Sequence, residues 1–391
     1  MTPVTGEATH RRAMFGGLDL RGRVLVGRYR LDEVIGCGGT AVVYGARDLL
    51  LRRRVAVKVF HPEHARSESQ RRRIRREAQL LAHLEHLHII PLLDFGEEPQ
   101  RLLAAGAPPH GAHVELVSAG DPLVFLVMPL LRAPTLRDLV LAGPLDWQRA
   151  LGLVRQLLEA VAVLHRRGVL HRDLKSQNCL VTRRAGRDHL FLLDLGLARV
   201  TAPDLVSSGS GRPSVSHSEP GAIVGTLAYL APEQARGGPV DERADLYAVG
   251  VILFELLTRR MPFTGSDYAV LKGHVEVEPP TPSCVAPAAG ISAELDGIVL
   301  RALAKDPARR FASADEFMAA LVAVLGEAAT AGEGSLTCRV PEHAGCENAQ
   351  AALAAWTRFE STAAHRAADA AARVDRAWSP LVLMLGALAE E

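Results

Sequence analysis

The sequence predicts an α+β chain of two unequal lobes: a small antiparallel sheet with one main helix, then a larger and mostly helical part. Three observations predict it. Apolar and polar residues alternate on both sides of a glycine cluster in "RYRLDEVIGCGGTAVVYGARD", and "RRRVAVKVF" is a second strand-like run. One amphipathic segment follows, "ESQRRRIRREAQLLAHLEHL", with Ile74, Ala78, Leu81, Leu84 and Leu87 at steps of three and four and arginines opposite. From Thr135 onward helical patterns dominate, in "TLRDLVLAG", "WQRALGLVRQLLEAVAVLHRRG", "DLYAVGVILFELLTRR" and "SADEFMAALVAVLG".

Composition bounds the function. The chain has 391 residues, 48% of them hydrophobic, enough for sizeable cores without disulfide staples. Its formal net charge of +1 gives no global field for nucleic acid or an anionic membrane, so specific sites must carry the activity. The five cysteines, Cys37, Cys179, Cys284, Cys338 and Cys346, are scattered without paired metal spacing and read as reduced thiols. The start lacks the apolar stretch of a secretory signal, and no run approaches the roughly 18 to 20 apolar residues that cross a bilayer. The expectation is a cytoplasmic protein without a membrane span and without nucleic acid as a partner.

Along the chain, residues 1–27 are expected to form a mostly loose leader, 28–131 the small lobe, 132–325 the large lobe and 326–391 an Ala-rich tail, helical in part by propensity. A strand is expected in "IIPLLDFG" and another in "LVFLVMPL", separated by an insertion over about 97–121 that is either a surface loop or an extra hairpin around "HVELV". Residues 203–221, rich in Ser, Gly and Pro, cannot bury enough apolar surface to order themselves well.

Four short stretches bear chemistry. In "GCGGTAVVY", between two strands, glycines let a hairpin fold close over a ligand and aim N–H groups at phosphate oxygens, although alone such a hairpin is an ordinary turn. Lys58 in "VAVK" points inward from a buried strand and needs a partner, which Glu77 on the amphipathic helix can supply. In "HRDLKSQN", Asp173 can accept or orient the proton of an attacking hydroxyl, Lys175 can neutralise charge on a transferring phosphoryl group, and Asn178 can offer an amide oxygen to Mg²⁺. Asp194, in "LFLLDLGLAR", supplies the second oxygen ligand at the end of a short apolar strand. A single Asp in a turn carries little weight; the co-occurrence of all these, in order, with "GTLAYLAPE" carries much more.

In that order the motifs resemble a protein kinase, most closely the bacterial serine/threonine kinases of the eukaryotic-like (Hanks) type, from about Arg28 to Leu325. The resemblance implies the bilobal protein-kinase fold, ATP and Mg²⁺ as cofactors, and protein substrates with Ser or Thr acceptors; it leaves a dimer of kinase domains open. It implies that Ile35, Gly36, Cys37, Gly38, Gly39, Thr40 and Ala41 cover ATP, that Lys58, held by Glu77, contacts the α- and β-phosphates, and that Val43, Ala56 and Leu180 sandwich the adenine. Met128 falls at the gatekeeper position and Pro129 to Leu131 at the hinge. Asp173 becomes the base-position acid, Asn178 and Asp194 the metal ligands, and Lys175 with Thr226 matches the Ser/Thr version of the substrate platform. Glu233 should meet Arg310 in a buried ion pair, Asp245 should anchor the catalytic loop, and Leu81, Leu92, His171 and Leu195 should stack between the lobes. Arg172 is placed to clamp a phosphate on the loop 194–233, with autophosphorylation expected at one of Ser216 and Ser218.

Two departures stand out: Ala41 replaces a third glycine, and Leu195 replaces the usual Phe of Asp-Phe-Gly. Neither removes a catalytic group. A nucleotide-binding pseudokinase is the rival reading, and the five polar groups Lys58, Glu77, Asp173, Asn178 and Asp194 count against it. A small-molecule phosphotransferase is a second rival, and "GTLAYLAPE" counts against that.

Overall fold

The computed structural model describes residues 20–99, 122–184, 186–193 and 227–332. The small lobe is a six-stranded antiparallel sheet of β1 (Val24–Leu25), β2 (Tyr29–Cys37), β3 (Ala41–Asp48), β4 (Arg53–Phe60), β5 (Asp94–Glu98) and β6 (Leu123–Pro129). Its spatial order is β1-β2-β3-β4-β6-β5. Side chains alternate across it. On β4, Val55, Val57 and Val59 are fully buried on one face with Tyr29, Tyr44 and Phe125, whereas Ala56 and Lys58 take the other. Cross-strand register sets Lys58 opposite Val43 and Leu126, and Ala56 opposite Gly45 and Met128. One face of the sheet therefore presents Val43, Ala56, Lys58 and Met128 together.

The sheet twists, and side chains tie the start of β2 to β5. Tyr29 Oη donates to Asp94 Oδ2 (2.6 Å), and Arg28 bridges Asp48 (2.7 Å) and Asp94 (3.3 Å). Burial pushes the Asp48 carboxyl up, but Arg28 and the Leu50 and Leu51 amides outweigh it and hold it below the usual range. On β5, Gly96 lies under Phe125; a Cβ there would sit 2.2 Å from the ring.

Residues 20–27 correct the expectation of a loose leader up to residue 27. Leu20 and Leu25 are buried in the same core as Tyr29, and Gly22 N–H donates to Leu31 O (2.6 Å). Burial of two leucines outweighs the low propensity of a Gly/Arg-rich segment.

The main helix of this lobe, α1 (Glu68–Ala82), starts with a capping box: Ser67 Oγ accepts from Gln70 N–H and Gln70 Oε1 accepts from Ser67 N–H. Ile74, Ala78 and Leu81 form its buried stripe, and Leu84 is buried just past its end. Leu87 departs from the predicted stripe: it is 71% exposed, because the helix stops at Ala82 and the 3.6-residue period no longer governs it. The predicted strand "IIPLLDFG" becomes regular only from Asp94, and residues 100–121, with "HVELV", lie outside the described residues.

The large lobe contains α2 (Leu136–Ala142), α3 (Trp147–Arg166), the hairpin β7 (Cys179–Arg184) and β8 (Arg187–Leu192), α4 (Pro232–Arg236) and α5 (Glu242–Thr258). It continues with α6 (Asp267–Glu276), α7 (Pro282–Val285), α8 (Ala293–Ala302) and α9 (Ala314–Gly332). Helix α5 is buried from Ala244 to Thr258 and is the centre of this core. Gly250 lets α8 approach closely, since a Cβ there would lie 2.7 Å from Ala302 Cβ. Among the described residues no helix is long and apolar enough to cross a membrane.

Candidate active site

The segment before β7 interrupts two apolar runs with polar groups, and the fold supplies the partners that make this tolerable. Asp245, on the buried helix α5, accepts the backbone N–H groups of His171 (2.9 Å) and Arg172 (2.8 Å) and the Nε2–H of His165 (2.8 Å). Burial pushes the Asp245 carboxyl up, but these bonds and the neighbouring histidines hold it below the usual carboxylate range. The bonds also hold Arg172 at φ +62°, a left-handed conformation that is unfavourable for a residue with a side chain. The His171 ring is fully buried and donates from Nε2 to Leu193 O (3.1 Å). It braces the loop and has no access to a substrate proton.

From this braced turn three predicted side chains come together. Lys175 Nζ lies 2.8 Å from Asp173 Oδ2, both half-buried. Asn178 donates from Nδ2 to Asp173 O (2.8 Å) and, at 3.3 Å, to Asp173 Oδ2. Its two bonds leave from the amide nitrogen, so the amide oxygen remains for a hard cation, which favours oxygen ligands. The N–H of Leu193 donates to Asn178 O (2.8 Å), so the chain arrives beside Asn178 one residue before Asp194. Among the described residues no three His, Cys, Asp or Glu side chains form a metal cluster. Asp194 itself, the Glu77 side chain, Leu195, Ser216, Ser218 and Thr226 lie outside what the structure describes. Arg172 is exposed and its guanidinium meets no described partner.

The small lobe presents the other predicted group. Lys58 is 5% exposed, on the face it shares with Val43, Ala56 and Met128. Ala56 is buried, whereas Val43, Met128, Leu131 and Leu180 are half-buried apolar side chains. Leu180 is tied to the start of the large lobe by its bridge to Thr135, and the N–H of Val181 donates to Pro134 O (2.8 Å).

The glycine-rich turn is closed by Gly38 N–H donating to Ala41 O (2.9 Å), with Ile35, Cys37, Gly38 and Gly39 exposed. Sequence reasoning missed what steadies it. After β4 the chain makes a short 3₁₀ turn, Pro62–His64, from which His61 Nε2–H donates to Gly38 O and His64 Nε2–H to Gly39 O, each at 3.1 Å. His61 N–H adds a bond to Thr40 O (2.9 Å). No motif announces these histidines; their spacing to the turn exists only after the β3–β4 pair forms. Replacing both with alanine is expected to raise the KM for ATP by up to about thirtyfold with kcat little changed, from about 1 kcal/mol for each of the two lost bonds. Glutamine at both positions, which keeps a donor, should restore most of it in the same steady-state assay; an unchanged KM for the alanine pair would refute the clamp.

Sequence reasoning also missed a buried relay under the loop that carries Asp173. Ser176 Oγ bonds Tyr229 Oη (2.8 Å), Tyr229 Oη donates to Glu255 Oε2 (2.7 Å), and Arg137 donates to Glu255 Oε1 (2.6 Å). It joins the loop, the "GTLAYLAPE" segment and α5. Nearby, Arg310 makes a paired contact with Glu233 at 2.7 and 2.8 Å, with its remaining N–H groups on backbone carbonyls. The Arg310 side chain is fully buried, so the pair is a structural tie of the large lobe.

Comparison with known proteins gives the family. The family model described as the protein kinase domain matches residues 29–321. The chain is 40% identical over 299 residues to the serine/threonine-protein kinase PknB of Mycobacterium tuberculosis, a match covering 76% of this chain and 43% of PknB. It is 34% identical over 302 residues to the serine/threonine-protein kinase PrkC of Bacillus subtilis, covering 77% of this chain and 41% of PrkC. The crystal structure of the PknI kinase domain of M. tuberculosis is similar with a TM-score of 0.56 at 26% identity, over 79% of this chain and 99% of that domain. The chain spans about two-fifths of the length of the curated relatives named here.

Proposed function

The chain belongs to the protein kinase family, among its bacterial serine/threonine members, and from that premise we propose that it transfers the γ-phosphoryl group of ATP to serine and threonine hydroxyls of proteins. One observation carries the reading: the Asp173 carboxylate sits 2.8 Å from the Lys175 ammonium and beside Asn178, on a loop locked to the core by Asp245. An acceptor hydroxyl placed at Asp173 loses its proton to that carboxylate as its oxygen bonds the γ-phosphorus, and the bond from phosphorus to the β–γ bridging oxygen breaks to release ADP. Lys175 offsets charge on the phosphoryl oxygens, while the backbone of Gly36 to Ala41 covers the phosphates and Lys58 holds them from the sheet face. Val43, Ala56, Leu180 and Met128 supply apolar walls of the right kind for an adenine ring, with Pro129 to Leu131 as its polar edge. ATP use comes with a divalent cation; Mg²⁺ is our assignment, held by Asn178 and Asp194, and it would neutralise phosphate charge.

Regulation follows from the same reading. The guanidinium of Arg172, exposed and without a partner among the described residues, is available to a phosphate on Ser216 or Ser218 of the 194–233 loop. We place the protein in the cytoplasm, where ATP is available and thiols such as Cys37 and Cys284, both exposed, stay reduced.

The test is incubation with γ-labelled ATP, Mg²⁺ and a generic basic protein, followed by phosphoamino-acid analysis and site mapping. Label is expected on Ser and Thr, with Ser216 or Ser218 among the modified positions, and none after chelation with EDTA. Nucleotide binding without transfer would make this a pseudokinase, and label confined to other positions would remove the loop assignment.

A further inference from the structure

We propose that a basic cleft formed by the β7–β8 hairpin and the first half of α3 docks an acidic, leucine-bearing segment of a protein partner or substrate. The cleft, about 530 Å³, is lined by Arg149, Gly152, Arg184, Arg187 and His189, with Leu87 at its rim. It lies outside the ATP-facing surface of the sheet and outside the catalytic turn.

Its charge is local. The whole chain carries a formal charge of +1, yet around this cleft five guanidinium groups, Arg149, Arg155, Arg183, Arg184 and Arg187, stand against three carboxylates, Asp146, Asp188 and Glu159. All three are already engaged, Asp146 by the N–H of Arg149 at 2.6 Å. Arg149 holds Asp188 at 2.6 and 3.3 Å, and Glu159 is held by Arg155 and by His88. Gln156 is spent at both ends, donating to Asp188 O and accepting from Leu190 N–H. Arg184 and Arg187 remain, exposed and without a carboxylate among the described residues, Arg184 resting over the Phe191 ring at 5.7 Å. Two unspent planar forks next to each other suit anionic oxygens that accept them in pairs, such as those of carboxylates and phosphates.

The remaining walls choose between anionic partners. Leu87 is 71% exposed at the rim, and a Cβ built at Gly152 meets nothing within 4 Å, so the helix backbone is bare where an extended segment would lie. An apolar side chain on the ligand gains contact with Leu87. A single-stranded nucleic acid would need open aromatic faces on which bases stack. The rings here are occupied with one another: His189 packs on His88 at 4.8 Å and on Phe191 at 4.6 Å between centroids, and Phe191 and His88 are buried. An acidic peptide fits better. That docking delivers substrate to the catalytic loop rests on the kinase reading; the binding itself does not.

The experiment measures fluorescence anisotropy of a labelled Asp/Glu-rich peptide carrying one leucine, against its Lys-substituted counterpart and a labelled oligothymidylate. The full chain and the double variant Arg184→Glu/Arg187→Glu are compared. Loss of two charge-assisted contacts is expected to weaken the acidic peptide about tenfold or more, with a further fall as salt rises. Asp173→Asn should bind it as the wild type does, which separates docking from transfer. Because both arginines are exposed, the double variant should keep the wild-type Tm. The substitution Leu87→Lys gives an independent check on the rim by weakening the leucine-bearing peptide more than one without leucine. Equal affinity of wild type and the double variant for the acidic peptide, or equally tight binding of the Lys peptide or the oligothymidylate, would overturn the proposal.

Discussion

Asp173→Asn is expected to lower kcat for phosphoryl transfer by about 10²- to 10⁴-fold, the range removed with a positioned general base. The substitution keeps the size of the side chain and the backbone carbonyl that Asn178 Nδ2 binds at 2.8 Å. It removes the negative charge that faces Lys175 Nζ at 2.8 Å and that would take the hydroxyl proton. ATP affinity should change little, because Asp173 is not among the groups assigned to the adenine or to the α- and β-phosphates. Single-turnover transfer of labelled phosphate separates the two quantities. A kcat within tenfold of wild type would show that Asp173 is not the base and that positioning alone carries the reaction.

Asp245→Asn has the largest expected effect on stability. Asp245 is 2% exposed and accepts from His171 N–H, Arg172 N–H and His165 Nε2–H. An amide in its place turns one acceptor oxygen into a donor against those N–H groups. Breaking a buried, fully bonded charge of this kind costs about 3 kcal/mol or more, seen as a lower urea midpoint at pH 7. Without those bonds the left-handed Arg172 keeps, among the described residues, only a 3.4 Å bond from Gln234 to its carbonyl, so kcat should fall as well. The pH dependence has a definite sign. The native carboxyl titrates below its unfolded value near 3.9, so its contribution is complete above that pH and is lost as pH falls through the lower native value. The wild type should therefore lose stability on acidification below about pH 4 more steeply than the Asn variant. Parallel acid limbs would show that Asp245 does not titrate as a buried acceptor.

The two experiments read different layers of the molecule. Asp173 sits in a motif whose neighbours along the chain announce its chemistry. Asp245 sits inside an apolar helical run, and only the resemblance of the chain to kinases singled it out; the reason for a carboxylate there is two backbone N–H groups more than 70 residues away. The same contrast runs through the fold. The capping box at Ser67 and Gln70 is written within four residues, and the α1 stripe is legible as far as Leu81. Leu87 was misplaced because a period can be counted past the point where the helix ends. The short strand Val24–Leu25 was missed because two residues have no period; what holds it is burial of Leu20 and Leu25 under a sheet built mainly by later residues.

By itself the sequence determined the kinds of group present and their order: a glycine turn, a strand lysine, the H-R-D-x-K-x-x-N turn and the helices behind it. Those follow from local propensity, alternation and spacing, which act between neighbours. The tertiary structure alone decided which groups are spent and which remain available. Lys175 is turned onto Asp173, two histidines hold the glycine turn, and Glu255 takes both Tyr229 and Arg137, while Arg184 and Arg187 are left open to solvent. The physical reason is that a buried polar group must find its partner in space, and the chain brings that partner from wherever packing of the apolar faces happens to place it.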